Sequence, residues 1–314
     1  MTTKSQLIGI IAALAAICGC SRDEATCYRS VRADAISGSQ ELTLPGDQVS
    51  ATVKVDFLLP VEVPLRSFVE ENVAVNWNKA RGSDEALATG YKAVIGQFLD
   101  EYKESRAERA RKTANEEWVG PDAGWDFSLS GGITWHSEKY FSYRTSIMSY
   151  FGGVHPDVWF KNGTYSFKLG RRMTVTDIID EKDFLPVVKI IRKLISEDES
   201  RSEYLRECMT NEIVGTYAEY AEDAEGGKGD MGEPCVSENF MIVEAGIVWT
   251  YNEYEISSYS EGHTDVLVPW HLLMPYLKSK DLLDDPEVVG VYERMRQQAI
   301  EEGRLQKIGG LEFF

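Results

Sequence analysis

Residues 158–169 read Val-Trp-Phe-Lys-Asn-Gly-Thr-Tyr-Ser-Phe-Lys-Leu. Two aromatic-rich runs flank Asn162-Gly163, and Asn-Gly is the pair that best supplies the two positive φ angles of a type I′ turn. The stretch predicts a β-hairpin with those two residues at its tip. A hairpin needs no crossover helix, so the sheet around it is expected to be antiparallel. Asn162-Gly163-Thr164 also matches an N-glycosylation sequon and is read as turn chemistry.

Working upstream, residues 122–151 alternate as β structure through Trp125, Phe127 and Leu129, then Ile133 and Trp135, then Phe141 and Tyr143. Gly131-Gly132 is read as a bulge or bend. Residues 49–59 alternate as a further strand with Val53, Val55 and Phe57 on one face, stopped by Pro60 and Pro64. A mixed stretch with Phe68, Val73, Val75 and Trp77 follows. Ser83 then reads as the N-cap of an amphipathic helix carrying Leu87, Tyr91, Val94, Phe98 and Tyr102.

Downstream, residues 184–195 (FLPVVKIIRKLI) have helical spacing with Pro186 in the first turn. Residues 176–180 suggest a short helix and 203–220 a longer one. Two short strands are expected around Ala245-Gly246 and another at 266–269, with helices beginning at Trp270 and Pro286. Helices and strands mix without βαβ regularity, which gives an α+β fold. The expectation is a mainly antiparallel sheet with packed helices, in two sequential subdomains sharing a core. Their limits are 40–150 and 151–280, followed by a C-terminal helix and tail at 281–314.

The first residues carry a separate message. Lys4 precedes an apolar run from Leu7 to Ile17, too short to span a hydrocarbon core of about 30 Å. Ile17-Cys18-Gly19-Cys20 after such a run resembles the lipobox of bacterial lipoproteins. That resemblance implies removal of residues 1–19, lipidation of Cys20, and a tether over residues 20–39. The chain would be anchored to a membrane without spanning it, in the cell envelope. Ser21 after the lipidated cysteine implies the outer membrane, with either side open.

Charge narrows the partners. The 314 residues hold 33 Lys and Arg against 51 Asp and Glu, a net charge of −18. Nucleic acid is disfavoured, because phosphate binding needs a basic face. An acidic surface can steer a cationic partner, and it also serves solubility. Cys208 and Cys235 flank an acidic, glycine-rich loop and are expected to close it as a disulfide, leaving Cys27 over.

Two motifs resemble a known family. Ser149-Tyr150-Phe151-Gly152-Gly153-Val154-His155-Pro156, with Leu169-Gly170-Arg171-Arg172-Met173-Thr174-Val175-Thr176-Asp177-Ile178, resembles "Y-x-G-G-A-H … F-D-L-x-T-G-K-x-L-x-L-x-D-L-F". Gly246 through Tyr251, Tyr254-Glu255-Ile256-Ser257-Ser258-Tyr259-Ser260-Glu261-Gly262 and Val266-Leu267-Val268-Pro269-Trp270 resemble "G-x-x-F-x-Y-x-x-Y-E-I-A-P-Y-A-x-G … V-x-I-P-Y". Both patterns belong to the extracellular module of RsiV-type anti-sigma factors, which senses lysozyme. A related module precedes the catalytic domain of PdaC-type peptidoglycan deacetylases. The chain departs from the pattern at Lys168 and Arg171, which stand where Asp and Lys are usual. It has neither the cytosolic anti-sigma segment nor a deacetylase domain, so the resemblance implies only a ligand-binding envelope domain.

Among chemical candidates, His155 stands alone after Gly152-Gly153, where it either caps a strand or faces a ligand. No metal-ligand spacing links the four histidines, and no nucleophile elbow, phosphate loop or dinucleotide fingerprint occurs. No cofactor is expected. Tyr251, Tyr254 and Tyr259 cluster in the second motif, and aromatic faces can anchor a protein or stack on a sugar. The candidate binding residues are therefore Tyr251, Tyr254, Tyr259 and His155. The expected function is non-catalytic recognition of an extracytoplasmic ligand, either a cationic protein such as lysozyme or peptidoglycan. The competing classes are a glycan-modifying or accessory enzyme and a structural lipoprotein of an envelope complex.

Overall fold

A computed structural model describes residues 31–82, 89–210 and 235–279, with parts of 294–313. Cys20, Cys27, the lipobox, Ser83 and most of the expected C-terminal helix lie outside the described residues. Among those described, no helix is long and apolar enough to cross a membrane.

The fold is α+β. Six strands are ordered β1 (Ala33–Leu42), β2 (Ala51–Pro60), β3 (Trp125–His136), β4 (Tyr140–Tyr150), β5 (Asp157–Ser166) and β6 (Arg171–Arg172). A second sheet has the order β7 (Phe240–Val243), β8 (Gly246–Tyr251) and β9 (Thr264–Pro269). The short strands β10 (Gln306–Ile308) and β11 (Leu311–Phe313) pair with each other. Strand β2 pairs with β3 in parallel, whereas β1–β2, β5–β6, β7–β8, β8–β9 and β10–β11 are antiparallel. The chain divides into two compact units. One holds the residues up to Ile133 with Tyr143–Lys161, the other Thr134–Ser142 with the residues from Asn162 onward.

In the first unit, helices α1 (Val63–Ala80) and α2 (Gly90–Ala114) pack on β2. Val53, Val55, Phe57 and Leu59 of β2 are buried, as the alternation requires. Trp77 of α1 meets Phe127 edge-on at 5.4 Å, and Phe98 of α2 lies 5.2 Å from Phe127. Helix α1 occupies what the sequence offered only as a mixed stretch. Its inward stripe is Leu65, Phe68, Val69, Asn72, Val73, Asn76 and Trp77, a helical repeat of three and four with two asparagines in it. Those asparagines are fully buried and donate to strand carbonyls: Asn72 Nδ2 to Lys161 at 2.7 Å, Asn76 Nδ2 to Trp159 at 2.9 Å. Replacing Asn72 by Ala leaves a buried carbonyl with a weaker partner, the Thr145 hydroxyl at 3.3 Å. We expect a loss of about 2 kcal/mol, read from the urea midpoint.

Residues 33–39, expected in the tether, are instead the start of β1, which pairs with β2 over its whole length. Alternation there is masked because Ile36 and Leu42 are the only large apolar side chains among small and polar ones.

The expected hairpin tip at Asn162-Gly163 is not a turn. Strand β5 runs straight through both residues. Asn162 is fully buried in the second unit, where its backbone N–H donates to Asn239 Oδ1 at 2.8 Å and its Nδ2 to Thr250 Oγ1 at 2.6 Å. Two residues on, Thr164 Oγ1 accepts from the Ile242 N–H at 2.9 Å. These tertiary bonds outweigh a local turn preference, which is worth about 1 kcal/mol. A side chain so enclosed has no room for a glycan. The chain reverses only after Ser166, where Gly170 takes a φ of +69° and β6 folds back on Tyr165 and Ser166.

The rest of the second unit is helix α3 (Phe184–Glu197) and helix α4 (Glu203–Thr210), with the short helix α5 (Trp270–Leu273) after β9. Val187, Val188, Ile191 and Ile195 of α3 share one core with Phe240, Ile242, Ile247, Trp249, Val266 and Val268. The first motif is structural here. Arg171 forms a two-pronged bond to Asp177 at 2.7 and 2.8 Å, and Asp177 also accepts from the Thr174 N–H and hydroxyl at 2.8 and 3.0 Å. Arg171 first, then Thr174, holds the Asp177 carboxyl well below its ordinary value of 3.8. A carboxyl depressed on folding stabilises the fold above its unfolded value and ceases to do so as pH falls toward its folded one. Asp177→Asn is therefore expected to cost about 1–2 kcal/mol at pH 7, with Arg171's exposure limiting the effect. The gap to wild type should narrow steadily when the urea midpoint is followed below pH 3.8.

Candidate functional site

Strand β8 sorts the second motif into inward and outward residues. Gly246 lies against β9, where a Cβ would sit 2.2 Å from the Val268 carbonyl oxygen. Trp249 is fully buried beside Phe240. Tyr251 is also a core residue, and its hydroxyl donates to the Cys235 carbonyl at 2.7 Å. This removes Tyr251 from the expected binding surface. A residue at the end of a strand whose face is turned to the core has nowhere else to point.

After Tyr251 the chain leaves the sheet and makes a tight turn. The Asn252 N–H donates to the Glu255 carboxylate at 2.8 Å, and the Glu255 N–H to the Asn252 carbonyl at 3.1 Å. Tyr254 sits at the turn's corner with φ +65°, and its N–H donates to the Ser257 carbonyl at 3.0 Å. An aromatic residue in this left-handed region costs about 1–2 kcal/mol over its extended form. Its ring is 57% exposed and lies 6.1 Å from the half-buried Tyr259 ring, tilted by 31°. Ile256 and Ser257 between them are buried and anchor the loop from beneath.

The connection between α3 and α4 braces the loop. Arg201 donates to the His263 carbonyl at 3.1 Å, and the Ser202 N–H reaches the Glu261 carboxylate at 3.5 Å. Tyr204, two residues further along α4, is 61% exposed. The second unit thus exposes Tyr254 beside the half-buried Tyr259 on this loop, and Tyr204 on α4, with Glu203, Glu255, Glu261 and Asp265 in the same segments. Asp265 accepts from the Thr250 hydroxyl at 2.5 Å and stands 3.7 Å from His263 Nε2. Arg201 and Ser202 carried no sequence signal, because only folding brings the α3–α4 connection to the second motif. Exposed tyrosines offer large contact area at low entropic cost, and surrounding carboxylates favour a positively charged partner.

His155 belongs to the first unit. Its Nδ1 is 3.2 Å from the Pro156 carbonyl and 3.6 Å from Asp157 Oδ1. Beside it Val154 is 98% exposed, on a loop that Tyr150 closes by donating to the Gly153 carbonyl at 2.9 Å. The expected Cys208–Cys235 disulfide is not formed. Cys208 packs on the core from α4, where its carbonyl accepts from Arg192, while the Cys235 carbonyl is held by Tyr251. Their backbones are fixed by different elements. Among the described residues no three of His, Cys, Asp and Glu are grouped to hold a metal ion.

Comparison with known proteins adds a family. Residues 176–271, from the Asp177 turn to the start of α5, match the model described as "Protein of unknown function (DUF3298)". No curated protein matches. Among solved structures, a DUF3298 family member from Bacteroides fragilis is similar at 18% identity and TM-score 0.57, over 82% of this chain and 96% of that one. A DUF3298 family protein from Pseudomonas aeruginosa is similar at 13% identity and TM-score 0.52, over the same shares of 82% and 96%. These likenesses extend to the fold.

Proposed function

We propose that this chain is a non-catalytic envelope lipoprotein whose tyrosine corner captures a cationic protein, lysozyme being the leading candidate. The observation that carries the reading is Tyr254, an exposed ring held at φ +65° against Tyr259. A protein keeps a costly backbone conformation where the surrounding turn enforces it, and such positions concentrate at binding sites. The net charge of −18 speeds encounter with a basic partner, and the tyrosines supply the buried anchor. Lipidation at Cys20 would place this corner outside the cytoplasm, where such partners are met.

The test is a titration of the purified chain with a basic animal-type lysozyme at low and at physiological salt. A specific complex retains most of its affinity at about 0.15 M salt, because its anchor is apolar. Attraction that disappears on adding salt is charge alone and contradicts the reading. Absence of binding at both salts also contradicts it and favours cell-wall glycan.

A further inference from the structure

Strand β1 ends the order of its sheet, and its ladder with β2 is unbroken from Ala33↔Pro60 to Leu42↔Ala51. One step beyond, the Val61 N–H donates to the Arg32 carbonyl at 2.9 Å, which makes those two a hydrogen-bonded pair. Bonded and non-bonded pairs alternate along an antiparallel ladder. The even-numbered residues of β1 therefore bond to β2. Ala33, Ala35, Ser37, Ser39 and Glu41 turn their N–H and C=O groups to the other side. Among the described residues, no backbone hydrogen bond is made to that side.

The charged residues of the strand are Asp34, which stands 3.5 Å from Arg66, and Glu41. The sequence ADAISGSQEL holds no proline and no lysine, and the register shows no bulge. These are among the devices by which edges avoid pairing, charged side chains being another. Ser37 and Ser39 are exposed and small, with Gly38 between them.

We propose that this edge pairs with the same edge of a second copy of the chain, antiparallel about a two-fold axis through Ser37. The edge-facing set is symmetric about that residue. Ala33 meets Glu41, Ala35 meets Ser39, and Ser37 meets its own copy, so every outward N–H and C=O finds a partner in about ten hydrogen bonds. On the other face Asp34 meets Gln40, and Ile36 packs over Gly38. Like charges never meet in this register. Setting Asp34 against Glu41 requires a shift of one residue, which would place the inward face of one copy beside the solvent face of the other. The interface is small and each copy carries −18, so the dimer is weak and salt strengthens it. This is opposite to the salt response of cationic-partner binding, and the two proposals stand independently.

The experiment is sedimentation of the full chain in excess non-ionic detergent from about 1 to 100 µM, at low salt and at about 0.3 M salt. A dimer fraction that grows with concentration and rises severalfold with salt is expected. Ser37→Pro removes only an edge-facing donor, and Ser37→Lys sets like charges opposite each other. Both should shift the chain to monomer with an unchanged melting temperature. Ser37→Cys should crosslink under mild oxidation beyond the wild-type level, because bonded pairs hold their Cα atoms about 5.5 Å apart. Ala35→Cys should not, since it faces Ser39. A chain that stays monomeric throughout, or a dimer that survives both Ser37→Pro and Ser37→Lys, overturns the proposal.

Discussion

Replacing Gly246 by alanine is expected to cost about 3 kcal/mol or more. The added Cβ would lie 2.2 Å from the Val268 carbonyl oxygen and 2.9 Å from the Pro269 Cα. Both are backbone, so no side-chain rotation relieves the clash, and β8 and β9 must part. The damage spreads because this corner is tied on both sides. Gly246 pairs with Pro269, the Trp270 N–H donates to the Ala245 carbonyl at 3.1 Å, and the Trp270 indole donates to the Glu244 carbonyl at 3.0 Å. Trp249 and Trp270, both in the core, move with the strands. Urea unfolding followed by tryptophan fluorescence measures the loss. A shift under about 1 kcal/mol would mean the strands separate more easily than this packing implies.

Tyr254→Gly carries the second large effect, and it has two opposite signs. Glycine adopts a φ of +65° without the cost a Cβ imposes, so the isolated protein should gain about 1 kcal/mol. The backbone bond to Ser257 needs no side chain and survives. Binding of the cationic partner should weaken about 30-fold, the equivalent of about 2 kcal/mol for a lost aromatic anchor. Stability that rises while binding falls is the mark of a residue kept for recognition. A structural tyrosine would lose stability instead, and melting curves beside binding isotherms separate the two cases.

Much of the fold was legible because most strands bury one face. Val53, Val55 and Phe57 alternate into the core, and the apolar stripe of residues 184–195 is helix α3. Helix α1 was hidden because Asn72 and Asn76 occupy core positions, and their partners are strand carbonyls distant in sequence. Strand β1 was hidden because Ile36 and Leu42 are its only large apolar side chains. The Asn-Gly signal misled because a turn dipeptide speaks only of local φ angles, while Asn162 answers to Asn239 and Thr250. At the site, Tyr254 and Tyr259 were visible from their motif. Tyr251 belongs to the core, and Arg201 and Ser202 reach the loop only through the fold.

The proposed docking of a cationic protein at the tyrosine corner can be tested in one experiment. The most direct measurement is calorimetric titration of basic lysozyme into wild-type chain and into Tyr254→Ala, at physiological salt, with melting curves of both. A one-to-one complex is expected for wild type, weakened about 30-fold by Tyr254→Ala, with the fold intact. Equal affinity for the two proteins would contradict it and place the contact elsewhere.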